Sequence, residues 1–263
     1  MGISNFRDKL SAIIRPSLLA ESDNFIIKLA DNRQEIEQAQ QLRYEVFRRE
    51  QGRLESCNGV GSIDVDEYDE YCLHLIVIDK ESQAIVGTYR MHPGMVARKG
   101  IGFYSEREYT IRGLEKIADD VIEMGRSCVA AEYRTGAVVS LLWAGIAEIK
   151  RRTDAQYLIG CVSLETTDSK VGWGLYHYLK QRYGVSELLS ALPHQRFVLP
   201  MSDGELSDSE LIKFIPPLFK GYIRLGAKIC GEPVLDHEFG SIDFFVVMEF
   251  RTLPEKYTRH YRV

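Results

Sequence analysis

Residues 121–151 hold the spacing best suited to chemistry. An apolar run at 121–129 fits a strand, Glu132-Tyr133-Arg134-Thr135-Gly136 a turn, and 137–151 an apolar helix. A helix N-terminus offers unpaired backbone N–H groups and a positive dipole end, which suits a pyrophosphate or phosphopantetheine phosphate, and Gly136 lets backbone come close. Glu123 and Arg126 lie on the strand before this turn; three residues apart, they face opposite sides of a regular strand. Cys128 and Cys161 sit in apolar strands and read as small hydrophobes without a basic neighbour to activate them. The six histidines are scattered without metal-ligand spacing, and the five cysteines contain no CxxC pair, so no metal site is expected. GxGxxG, Walker, GxSxG and HExxH patterns are absent, which removes support for dinucleotide oxidoreductases, P-loop enzymes, serine hydrolases of the elbow type and zincins.

The elements that must position these groups follow from periodicity. A strand at 25–29 leads to a helix over about 33–51, capped by Asp31, with Ile36, Ala39, Leu42, Val46 and Phe47 on one apolar face. Residues 52–71 form a long Gly- and Asp-rich loop, and strands at 72–79 and 84–91 make an antiparallel hairpin. After an irregular stretch at 92–116 come the strand-turn-helix, a buried strand at 157–164 and an aromatic-rich helix at 171–183. A polar loop at 202–209, a helix at 217–225 and strands near 227–230 and 244–250 complete the chain. This order favours one mixed α/β domain, with residues from about 186 onward as its extension.

Composition bounds the rest. The 263 residues, 45% hydrophobic and 27% charged, belong to an ordinary globular protein with a sizeable core. A net charge of -5 supplies no overall basic field for a phosphate backbone, so nucleic acid is not an expected partner. No apolar run reaches the roughly 20 residues of a membrane span, no signal-peptide pattern is seen, and the odd cysteine count fits a reducing cytoplasm. Within residues 1–24, Phe6, Leu10, Ile13, Ile14 and Leu18 recur at helical spacing among Arg7, Lys9 and Arg15, a short basic amphipathic segment that suits either packing on its own domain or an anionic membrane interface.

Motifs in one order carry a resemblance. Arg134-Thr135-Gly136-Ala137 resembles a degraded form of the signature by which GNAT acyltransferases hold coenzyme A. Arg43-Tyr44-Glu45-Val46-Phe47, Asp64-x-Asp66-x-Tyr68-Asp69, Gly87-Thr88-Tyr89-Arg90-Met91 and Glu123-Met124-Gly125-Arg126-Ser127-Cys128-Val129 resemble the acyl-homoserine lactone synthases. Leu142-Trp143-x-Gly145, Leu158-Ile159-Gly160-Cys161-x-Ser163-Leu164 and Pro216-Pro217-Leu218-x-Lys220-Gly221-Tyr222 look like the ornithine-lipid N-acyltransferases, a group often labelled haemolysin-like. The resemblance spans about residues 25–250, with 251–263 as a tail.

It implies a GNAT-like α/β fold, with a mostly antiparallel central sheet flanked by helices and a C-terminal extension. It further implies transfer of a 3-hydroxy fatty acyl group from acyl carrier protein to the α-amine of ornithine, giving lyso-ornithine lipid. No cofactor would be tightly bound, because the acyl-phosphopantetheine of the carrier is a co-substrate. An amine attacks a thioester only as the free base, so a proton acceptor is required, and Glu123 is the expected base. The expected amino-acid contacts are Arg43, Asp64, Asp66, Asp69, Arg90 and Arg126, with aspartates for the cationic side chain and an arginine for the carboxylate. Val129, Arg134, Thr135, Gly136 and Ala137 would hold the acyl donor. An acidic carrier protein calls for a local basic patch, drawn from Arg48, Arg49, Lys150, Arg151 and Arg152. The expected location is the cytoplasm, with peripheral contact at the inner membrane face. The alternatives are acylation of another amino acid such as glycine, lactone synthesis, and a non-enzymatic lipid-binding protein.

Overall fold

Strands buried on both faces read as continuous apolar runs, and the runs at β2 (Phe25–Leu29), β3 (Leu73–Asp79), β4 (Ile85–Pro93), β6 (Val121–Val129), β7 (Tyr157–Leu164) and β11 (Ser241–Glu249) become the body of one sheet. The computed structural model describes residues 13, 15–50 and 63–252. With β1 (Leu18–Glu21) and β10 (Val234–Asp236), the strand order is β1-β2-β3-β4-β6-β7-β11-β10, and β9 (Lys228–Ile229) also pairs β11. Every adjacent pair is antiparallel except β6 and β7, so the sheet is mostly antiparallel as expected. A separate two-stranded sheet joins β5 (Tyr109–Arg112) to β8 (Ser190–Pro193).

The longer helices are α1 (Arg33–Tyr44), α2 (Ala137–Thr153), α3 (Ser169–Tyr183), α4 (Asp208–Phe214) and α5 (Pro217–Arg224). One core joins α2, α3 and α5 to the sheet through Leu75, Val77, Leu142, Ile146, Leu175, Phe219 and Phe244. A second packs Phe103, Tyr109, Ile111 and Leu189 against Ile159, Phe245 and Val247. Among the described residues no helix is long and apolar enough to cross a membrane.

Several details depart from the sequence reading. The cap of α1 is Asn32, whose side chain accepts the Glu35 N–H, not Asp31. Past Tyr44 the helix widens into a π-turn, Glu45–Arg49. On α1 the buried residues are Ala39, Gln40 and Arg43, so the covered face is partly polar. The stretch 92–116 is not irregular throughout, since it contains the short helix Gly94–Ala97, the 3-10 turn Tyr104–Arg107 and β5. The C-terminal part is woven in: β11 lies along all of β7 from Glu249 opposite Tyr157 to Ile242 opposite Leu164. Most of the amphipathic N-terminal segment, the stretch 51–62 and the tail beyond 252 lie outside the described residues, although β1 extends the sheet edge and Ile13 is buried in the first core.

Candidate active site

Parallel strands β6 and β7 stay in register only from Val121 opposite Tyr157 to Glu123 opposite Ile159. Beyond that point β6 follows β4 and β7 follows β11, so the two strands part. Gly160 sits at the fork with φ +158°, and a Cβ there would lie 2.3 Å from the Met124 carbonyl oxygen, so only glycine fits. The opening leads into a cavity of about 830 Å³, walled by residues of both strands, Arg134, Gly136, Trp143, Tyr222 and Phe239.

Glu123 stands at this fork, buried, on the cavity wall. The first N–H groups of a helical turn have no partner within it, and the turn Tyr104–Arg107 directs its own at this carboxylate. Tyr104 N–H donates to Oε2 at 2.7 Å, while the Ser105 N–H (2.8 Å) and hydroxyl (2.6 Å) both donate to Oε1. Burial raises the Glu123 pKa, and the hydrogen bonds from Ser105 and Tyr104 and the charge of Arg90 oppose the rise. His92 lies opposite Glu123 in the β4–β6 register; it also lines the cavity, and among the described residues neither ring nitrogen has a hydrogen-bond partner.

Arg126 departs from the alternation expected of it. The β4–β6 register slips between Thr88 and Arg90, and Arg126 takes φ +50°, a β-bulge that adds a residue to β6. The bulge breaks the alternation, so Arg126 and Glu123 line the same cavity instead of opposite faces. Its guanidinium lies over the rings of Tyr104 (5.1 Å) and Phe239 (4.6 Å).

The six residues expected to contact the amino acid prove to bond one another. Arg43 reaches Asp64 (2.7 Å) and Asp69 (2.7 Å), Arg90 bonds Asp66 and Asp69, and Arg126 meets Asp66 (3.1 Å) and Asp64 (3.3 Å). Three positive and three negative charges cancel there, and the network clamps the acidic loop onto α1, β4 and β6. Its cations hold the Asp64 and Asp69 carboxyls below their ordinary range despite burial. Asp64, Asp66 and Asp69, expected at the cationic side chain of the substrate, are thus bonded to arginines and do not line the cavity; of the six, only Arg90 and Arg126 do.

A second carboxylate group was not legible in the sequence. Glu108, Asp236 and Asp243 are buried and bring one oxygen each within 4.8 Å of one another, a geometry able to hold a cation. Among the described residues none of them forms a salt bridge. Burial first, and mutual repulsion second, push Glu108 well above its ordinary range and Asp243 up to about 6. Asp236 and Asp243 line the cavity. Cys161 is no plain hydrophobe either: its thiol donates to Glu108 Oε2 at 3.3 Å and lies 3.6 Å from the Ser105 hydroxyl, and burial holds it protonated.

Of the residues expected at the acyl donor, Val129, Arg134 and Gly136 line the cavity and Thr135 and Ala137 do not. Gly136, at φ +93°, precedes α2 without a side-chain cap, so among the described residues the first N–H groups of the helix have no capping side chain and face the cavity side of the turn as donors a ligand could use. Arg134 bonds the Val129 carbonyl at 3.0 Å and Glu50 at 2.7 Å. The basic residues divide. Arg48 is buried over Phe239, and Arg152 bonds the Ile13 and Pro16 carbonyls, so neither presents a free surface charge. Lys150 and Arg151 end α2, at the opposite end from the turn and about 20 Å away along 1.5 Å per residue. Arg49 is exposed and adjoins Glu50, the partner of Arg134, and so lies beside the turn.

Sheet, fork and uncapped helix define the class: the fold is that of a GNAT acyltransferase, and residues 42–144 match the family described as acetyltransferase (GNAT) domain. The chain is 34% identical over 256 residues to an L-ornithine N(alpha)-acyltransferase of Brucella abortus (strain 2308), covering 93% of this chain and 91% of the relative. It is 36% identical over 250 residues to the enzyme of that name from Agrobacterium fabrum, covering 89% and 84%. A solved coenzyme A-dependent acyl-homoserine lactone synthase, BjaI, aligns with TM-score 0.46 at 16% identity over 87% of this chain and 83% of that one. The chain belongs to the L-ornithine N(alpha)-acyltransferase family.

Proposed function

We propose that the protein transfers a 3-hydroxy fatty acyl group from the phosphopantetheine thioester of acyl carrier protein to the α-amine of ornithine, giving lyso-ornithine lipid and the free carrier thiol. The observation that carries this reading is the fork of β6 and β7, where a buried carboxylate, a free helix N-terminus and unpaired strand edges share one cavity. The acyl arm enters the fork with its phosphate toward the N–H groups after Gly136. The amine nitrogen attacks the thioester carbon, the carbon–sulfur bond breaks, and the nitrogen gives up a proton. Glu123 takes it. Desolvation raises its proton affinity toward the working range, which is what a general base needs.

The carboxylates without an arginine suit the remaining charge of the substrate. Ornithine's side-chain ammonium is accommodated beside Asp236 and Asp243, backed by Glu108, where a cation relieves the repulsion among three acids. Arg126, held over two rings on the cavity wall, suits the substrate carboxylate. The carrier docks beside Arg49 and Arg134, at the donor turn, and Lys150 and Arg151 face elsewhere. The enzyme works from the cytoplasm, peripheral to the inner membrane face where its lipid product is used.

The test is incubation of purified protein with 3-hydroxyacyl carrier protein, and separately with acyl-coenzyme A, in a pool of amino acids including ornithine, read by mass spectrometry. N-acylornithine is expected, and Glu123→Gln should lower kcat about a hundredfold or more. No N-acyl amino acid from either donor overturns the reading.

A further inference from the structure

A carboxylate has about four lone-pair sites, two on each oxygen. On Glu123 three are engaged. Oε1 accepts two bonds, from the Ser105 N–H and the Ser105 hydroxyl, whereas Oε2 accepts only the Tyr104 N–H. The one open site is therefore on Oε2, and the residue responsible for the asymmetry is Ser105, itself fully buried. The Cys161 thiol lies 3.6 Å from Ser105 Oγ and 3.3 Å from Glu108 Oε2, so the serine packs against a group that is itself anchored.

We infer that Ser105 is the positioning residue for the base: by filling both sites of Oε1 it fixes the rotation of the Glu123 carboxylate and leaves the open site of Oε2 for the proton of the substrate amine. This inference rests on the acyltransferase reading. Ser105 lines the cavity beside Glu123, and its hydroxyl is committed to that carboxylate. It acts through Glu123, and its geometry follows from the turn Tyr104–Arg107, where the Glu106 carboxylate accepts the Phe103 N–H and so orients the next two N–H groups at the base.

The other groups around the base do not duplicate this hold. Arg90 and His92 approach from β4, Tyr68 and Cys72 from the acidic loop and its strand junction, Cys161 from β7 and Arg126 from the bulge, and among the described residues none donates a hydrogen bond to Glu123. Arg90 acts by charge and is itself bonded to Asp66 and Asp69. A hydroxyl donor to the ionised form favours that form, so its removal raises the proton affinity of the carboxyl.

The experiment compares wild type, Ser105→Ala and Ser105→Thr. Ser105→Ala keeps the backbone bond and deletes only the 2.6 Å hydroxyl bond. Expected are a kcat about tenfold lower at pH 7, an acid limb of the pH profile moved up by about one unit, and recovery of both by the threonine hydroxyl. Glu123 is also titrated by carbon NMR of glutamate-labelled protein without substrate, where Ser105→Ala should raise its midpoint by about the same unit. A purely structural serine would lower kcat evenly at every pH and leave that midpoint in place, and either result overturns the inference. The NMR arm reads the serine even when Ser105→Thr fails to fold or turnover is absent. An unmoved midpoint in a wild-type enzyme that makes N-acylornithine defeats the role of Ser105 alone, whereas absence of product from wild type defeats the acyltransferase reading.

Discussion

Two buried acidic groups lie close to one another in this molecule and behave in opposite ways. Asp64, Asp66 and Asp69 are interleaved with Arg43, Arg90 and Arg126, whereas Glu108, Asp236 and Asp243 face one another and, among the described residues, have no arginine bonded to them. Cations hold the Asp64 and Asp69 carboxyls low; burial and like charge push Glu108 and Asp243 high. Both are sets of three carboxyl groups, so partner geometry decides which carboxylates brace the fold and which remain available to a ligand. The first group fixes a loop. The second is where a cationic substrate gains most, because its charge replaces an interaction the protein does not supply.

The largest effect should come from breaking the braced group. Arg43→Met leaves Asp64 and Asp69 buried without their main partner, and loss of one side of a buried pair costs about 3–5 kcal/mol. For a chain of this size that lowers Tm by about 10 °C, measured by calorimetry. A change of only 1–2 °C would show that the network is not a brace.

The open group should respond through substrate and pH instead of overall collapse. Asp243→Asn is expected to raise KM for ornithine about tenfold and to shrink the preference for ornithine over norvaline, its uncharged counterpart, in a steady-state assay. In the folded protein Asp243 keeps its proton up to about 6, against an ordinary 3.8. The native state therefore binds the extra proton across that window, and this residue's contribution to stability falls as pH rises from about 4 to about 6. Asp243→Asn removes that contribution, so its Tm should gain on wild type across the same window. The braced Asp69 has the opposite sign: its stabilisation is present above the ordinary 3.8 and is lost progressively as pH falls from there through its lowered value.

The smallest effects lie on the surface. Among the described residues Arg49 pairs with Glu45 alone, in an exposed i,i+4 contact at 3.0 Å, so Arg49→Glu should change stability by less than about 0.5 kcal/mol while raising KM for acyl carrier protein severalfold. Substituting Lys150 and Arg151 together by alanine should leave that KM unchanged. The reverse result would move the carrier to the other end of α2.

Where the chain's own apolar pattern was sufficient, the sequence located elements closely: the strands at 25–29, 121–129 and 157–164 were expected at the bounds observed. Short strands such as β5, β8 and β10 escaped because three or four residues carry too little periodicity to distinguish a strand from a loop. Glu123 was singled out by the resemblance of its motif to the synthases, together with its place on the strand before the donor turn, and the structure sets it on the cavity wall. Ser105 was not, since nothing local announces a serine whose turn will point at a glutamate 18 residues away. The acidic group was equally silent, because Glu108 and Asp243 are 135 positions apart and meet only after β5, β8 and β11 assemble.

By itself, the sequence determined the order of strands and helices, the turn that ends in Gly136 and the stock of arginines and carboxylates, since each depends on neighbours within a few residues. Tertiary structure alone decided which carboxylates met arginines, because pairing is a matter of distance across the sheet. It also decided, through the bulge at Arg126 and the fork at Gly160, which side chains reached the cavity, because strand parity holds only while the backbone stays regular.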